Sequence, residues 1–63
     1  MFRTIEERIL AYTDRRGQFN RRIAKRAFRV YDDNYIHNSV MRVARELAER
    51  GILRRNGRGN YTN

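Results

Sequence analysis

The chain has no cysteine among its 63 residues, so neither a disulfide nor a thiolate metal site can staple it, and packing alone must hold the fold. A chain of this length buries only about 60% of its extended surface. That allows one small core and one domain, expected to span 1–63. With 40% hydrophobic residues the chain can still fold, provided that its helices are well capped and pack efficiently.

The longest apolar pattern is Ile36, Val40, Val43, Ala44 and Leu47, which recur at helical spacing up to Gly51 and predict a helix over about 34–50. Asp32, Asp33 and Asn34 offer three successive N-caps before it. Gly51 reads as the left-handed residue of a Schellman stop, with Ile52 folding back onto Leu47. Upstream, Thr4 and Glu7 have the spacing of a capping box, each able to satisfy the other's amide. Phe2, Ile5, Ile9 and Tyr12 then follow the helical period to Gly17, predicting a first helix over about 4–14. Gln18 and Phe19 make a short extended link. Asn20 caps a second helix over about 21–29, with Phe19 stapling against Ala24 and with Ile23, Ala24, Ala27 and Phe28 on the apolar side. After Gly51, two short polar runs flank Asn56-Gly57, a pair suited to a two-residue type I′ hairpin turn. The expected order is helix, short strand, helix, helix, β-hairpin: mainly α with a small β-hairpin.

Charge separates the chain from an ordinary small domain. It carries 15 Lys and Arg against 7 Asp and Glu, a formal charge of +8, and every one of those cations except Lys25 is arginine. Guanidinium is a planar fork that pairs bidentately with phosphates or with guanine edges. The charges are also segregated. Arg15, Arg16, Arg21, Arg22, Lys25, Arg26 and Arg29 form a dense middle block, which points to a basic face rather than to uniform solubility.

The element order, together with IAKRAF (23–28), SVMRVARELAERGILRR (39–55) and GRGNYT (57–62), resembles the winged helix-turn-helix family over nearly the whole chain. In that family a helix ending in L..L...G.L runs into a two-stranded wing, and Val43, Leu47, Gly51 and Leu53 look like those positions. The turn from Arg29 to Asp33 is longer than the shortest turns of the family, and the wing is minimal. The resemblance implies a winged helix-turn-helix domain of three helices plus a two-stranded wing, with DNA as its partner.

The residues themselves point the same way. Turning 100° per residue, Ile36, Val40, Val43 and Leu47 share one sector of the third helix, and Asn34, Asn38, Met41, Arg42 and Arg45 lie across from them. Asn to adenine and Arg to guanine are favoured major-groove pairings, so these five are the candidate base readers. Glu49 continues the stripe, which limits insertion to the first turns; the competing reading is a solvated face with Arg42 paired to Glu46 or Glu49. Arg21 and Arg22 in the first turn of the second helix, Lys25 on the same helix, and Arg54, Arg55 and Arg58 on the hairpin are the candidate phosphate contacts. His37 falls on the helix flank and reads as a packed surface histidine, with a phosphate contact as the alternative.

No catalytic set can be assembled. There is no second histidine, no nucleophile with an assignable base and no phosphate-binding loop, and one histidine without cysteine supports no metal site. No cofactor is expected, and so short a domain leaves no room for an effector pocket. An apolar run of about 18 residues and a signal-peptide pattern are both missing, so a cytoplasmic protein is expected. The leading expectation is a sequence-specific double-stranded DNA binder, a small transcription regulator of phage, viral or mobile-element type, acting as a homodimer because one module makes few base contacts. The alternatives are a winged module docking its basic face on an acidic protein, or an RNA binder using Tyr12, Tyr31, Tyr35 and Tyr61. A basic membrane-surface helix fits the charge but not the capped globular plan.

Overall fold

A computed structural model describes residues 4–57 and 59–63; Phe2 and Arg58 lie outside them. The chain is mainly helical with one two-stranded antiparallel sheet, a winged-helix-like layout.

Helix α1 (Ile5–Arg16) begins at Thr4, whose hydroxyl oxygen accepts from the Glu7 amide at 3.0 Å. The return bond comes from that same hydroxyl, which donates to Glu7 Oε1 at 3.5 Å, where the capping box anticipated the Thr4 amide. Acidic Glu6 and Glu7 sit in the first turn and basic Arg15 and Arg16 in the last, each favourable to the helix dipole. Helix α2 (Arg21–Phe28) is capped by Asn20, which accepts from the Ile23 amide at 3.0 Å. Its last residue is followed by Arg29 in the left-handed region at φ 54°, a conformation that costs an L-residue about 1–2 kcal/mol.

The third helix is one continuous run with a wide turn in it. Helix α3 (Asp33–Tyr35) starts at Asp32, which accepts from the Asn34 amide. A π-helical turn (Ile36–Val40) follows, closed by the Met41 amide on the Ile36 carbonyl, and helix α4 (Met41–Glu49) completes the run. In an α-helix residues four apart drift about 40° around the axis. A wider turn brings Ile36 and Val40 nearer to one line with Ala44, and all three are fully buried. Ala44 therefore takes the inner position expected of Val43, which is only half-buried.

The stop at Gly51 has both Schellman bonds: the Ile52 amide donates to the Leu47 carbonyl at 2.9 Å, and the Gly51 amide to that of Ala48 at 3.0 Å. Gly51 has φ 81°, which only glycine adopts at no steric cost. The apolar partner expected at Ile52 is supplied otherwise. Ile52 stays 41% exposed, and Leu53, 2% exposed, turns into the core.

Strands β1 (Arg54–Arg55) and β2 (Tyr61–Thr62) pair antiparallel with Arg54 opposite Thr62 and Arg55 opposite Tyr61. The Asn56 amide donates to the Asn60 carbonyl at 2.7 Å, so the loop is longer than the two-residue type I′ turn expected at Asn56-Gly57. Gly57 and Gly59 carry the positive φ values and Asn56 does not. The register is imposed from outside the hairpin. Phe19 and Tyr61 exchange amide-to-carbonyl bonds of 2.7 and 2.8 Å, which fixes Tyr61 against the link before α2.

One core results, made of Ile9, Phe19, Ala24, Ile36, Val40, Ala44, Leu47, Leu53 and Tyr61, with all three helical segments, the link and the hairpin contributing. The hydroxyl of Thr13, fully buried, donates to the Ile9 carbonyl at 2.7 Å.

Leu47→Ala removes a side chain 1% exposed from the centre of this core, and a loss of about 2–4 kcal/mol is expected. Thermal melting should show the variant largely unfolded at room temperature; an unchanged midpoint would contradict the packing described. Arg29→Gly relieves a left-handed residue at an exposed helix end, and a melting temperature raised by a few degrees is expected.

Candidate nucleic-acid interface

The hairpin is tied to the start of α2 by side chains as well as backbone. Asn20 Nδ2 donates to Asn60 Oδ1 at 3.3 Å, and Asn60 Nδ2 donates to Gln18 Oε1 at 3.2 Å. Asn20 thus caps α2 with its oxygen and holds the hairpin with its nitrogen. Between the amino end of α2, the third helix and the hairpin lies a half-open cleft of about 720 Å³.

Three separate elements turn cations towards this cleft. Arg21 and Arg22 come from α2, Arg42 and Arg45 from α4, and Arg55 from β1. Arg55 is directed there because it stands opposite Tyr61 in the sheet, and directly paired residues share a face. No Asp or Glu lines the cleft. Among the described residues, Arg21, Arg22, Arg45 and Arg55 have no carboxylate within ion-pair distance, while Arg42 Nε lies 3.9 Å from Glu46 Oε2. Both members of that pair are well exposed, so it holds Arg42 weakly.

The remaining sequence candidates are placed elsewhere. Lys25 donates to Asp33 Oδ1 at 2.7 Å and joins α2 to the start of the third helix, outside the cleft. Arg54 is on the opposite face of the hairpin from Arg55, by the alternation of a strand. Asn34 and Asn38 are exposed but stand clear of the cleft, on the amino-terminal part of the third helix. Met41 is half-buried and packs against the core while lining the cleft. Arg58 lies outside the described residues.

Sequence reasoning missed Asn20 and the wall formed by Gly59 and Tyr61. His37, read as a packed surface histidine with a phosphate contact as the alternative, is exposed and lines the cleft. Tyr61 is only 4% exposed, so it is a wall and not a stacking platform. Tyr31 and Tyr35 are exposed and do not line the cleft.

Three arginines outside the cleft have folding partners. Arg50 pairs with Glu6 at 3.1 Å, Arg8 lies over the Phe28 ring and Arg15 over that of Tyr12. No group of three metal-ligating side chains and no helix long and apolar enough to cross a membrane occurs among the described residues. Neither family models, curated proteins nor solved structures match the chain.

The Lys25 ammonium, by its hydrogen bond and its charge, holds the Asp33 carboxyl below its ordinary 3.8 against an opposing desolvation, and Arg21 adds the least of these effects. A depressed carboxyl stabilises the fold above its unfolded value and loses that contribution as the pH falls through its folded value. The melting temperature of the wild type should therefore exceed that of Asp33→Asn at neutral pH, with the gap closing below about pH 4. A gap that persists to pH 2 would rule out the ion pair as its source.

Proposed function

We propose that this protein binds double-stranded DNA sequence-specifically as a small transcription regulator, working in the cytoplasm. The reading rests on one observation above all: five arginines from three elements converge on a cleft with no lining carboxylate. Like charges gathered this way repel one another in the free protein, and a polyanion is the partner that turns the repulsion into affinity. The exposed amino-terminal part of the third helix supplies polar side chains, Asn34 and Asn38, of a type that reads adenine edges in the major groove. The hairpin and α2 flank that helix as backbone contacts. A single module of this size makes few base contacts, so two copies on paired half-sites are part of the reading.

Its test is the salt dependence of binding to duplex DNA. With about five phosphates neutralised, log affinity should fall against log salt with a slope of about −4 to −5, at about −0.9 per phosphate. A slope shallower than about −2, or no binding near physiological salt, would favour docking on an acidic protein. On a duplex recovered by selection, Asn38→Ala should cost about 1–3 kcal/mol while random duplex is bound as before. An RNA duplex bound as tightly as the DNA duplex would move the reading to RNA.

A further inference from the structure

We propose that the cleft seats a length of the sugar–phosphate strand, so that Arg42 and Arg45 clamp the DNA backbone together with Arg21, Arg22 and Arg55 and do not read bases. This rests on the duplex-binding reading above and changes the job of two residues within it. Viewed as a helical stripe, Arg42 and Arg45 belong with Asn38. In three dimensions they belong with the arginines of α2 and β1, around one volume of about 720 Å³.

Charge separates the two assignments. A guanine edge offers one guanidinium a pair of neutral acceptors, and further guanidiniums beside it stay uncompensated. A phosphodiester strand brings a full negative charge with each nucleotide, which is what five cations with a single loose carboxylate partner among them require. Shape agrees with charge. The backbone of a duplex is a ridge, and a ridge enters a cleft. Base edges lie on the floor of a groove and call for a reader that protrudes, as the exposed Asn34 and Asn38 do beyond the cleft. The uncharged lining fits as well: His37 supplies ring nitrogens for phosphate oxygens, and half-buried Met41 offers an apolar surface to a deoxyribose. The Arg42–Glu46 pair, at 3.9 Å and exposed, is loose enough to open when a phosphate arrives.

The experiment measures affinity for a random-sequence duplex across a salt series, using the full chain and its Arg42→Gln, Arg45→Gln and Arg21→Gln variants, with the selected duplex in parallel. Backbone clamps should each flatten the slope on random duplex by about 0.9 and lose selected and random duplex by the same factor. Arg45→Lys should keep both the slope and the selected-to-random ratio, because a point charge still serves a phosphate; this variant also answers the question if a glutamine variant melts early. An unchanged slope on random duplex, with tenfold or greater loss confined to the selected one, would make Arg42 and Arg45 base readers and overturn the proposal while leaving duplex binding intact. A wild-type chain that binds no duplex at low salt would remove both readings together.

Discussion

Two backbone hydrogen bonds between Phe19 and Tyr61 set the hairpin, and with it Arg55, against the rest of the fold. The hairpin has strands of two residues each, too little to be stable in isolation. Held against the link before α2, it acquires a third extended neighbour and a buried anchor in the Tyr61 ring. The same bonds set the register that puts Arg55 opposite Tyr61, on the side facing α2 and the third helix. Slipping that register by one residue would send Arg55 to the other face and leave the cleft without one of its walls. Asn20 and Asn60 reinforce the arrangement with side-chain bonds, and Asn20 caps α2 at the same time. Asn20 therefore links the start of α2, where Arg21 and Arg22 stand, to the hairpin.

What could be read in the sequence is what local chemistry decides. Thr4, Asn20 and Asp32 cap helices because a short side chain with an oxygen satisfies an amide two or three residues on, and the requirement is contained within a few positions. Gly51 stops the third helix for an equally local reason. The element order and the layout followed from these marks. The features that escaped are those settled by distant contacts. Nothing near Ile36 calls for a π-helical turn; it follows from burying Ile36, Val40, Ala44 and Leu47 against elements contributed by both ends of the chain. Once the turn is wider, Ala44 and not Val43 takes the innermost position, while Val43 packs at the margin of the core. The Asn56-Gly57 pair favours a tight turn, yet the pairing of Tyr61 with Phe19 outweighs it and lengthens the loop. Of the candidate site, Arg21, Arg22, Met41, Arg42, Arg45 and Arg55 meet at the cleft. Lys25 departs because Asp33, distant by eight positions in sequence, comes within 2.7 Å of it.

Two groups of arginines stand out that the composition hides, with the exposed Arg16, Arg26, Arg29 and Arg54 in neither. Arg8, Arg15 and Arg50 are engaged with rings or carboxylates of the fold, where a cation adds modestly to stability. Those of the cleft have almost no such partners, and their mutual repulsion works against a core of nine buried residues that has little stability to spare. A chain selected for stability alone would have placed carboxylates among them, since exposed acidic residues are available at Asp14, Asp32 and Glu49. Keeping all acids but Glu46 away and the cations together makes sense when the missing counter-charge arrives with a ligand: binding then both fills the cleft and relieves the repulsion within the free protein. The stability of the fold and its affinity for a polyanion are for that reason linked through the same five side chains, and the free protein is expected to be the less stable of its two states.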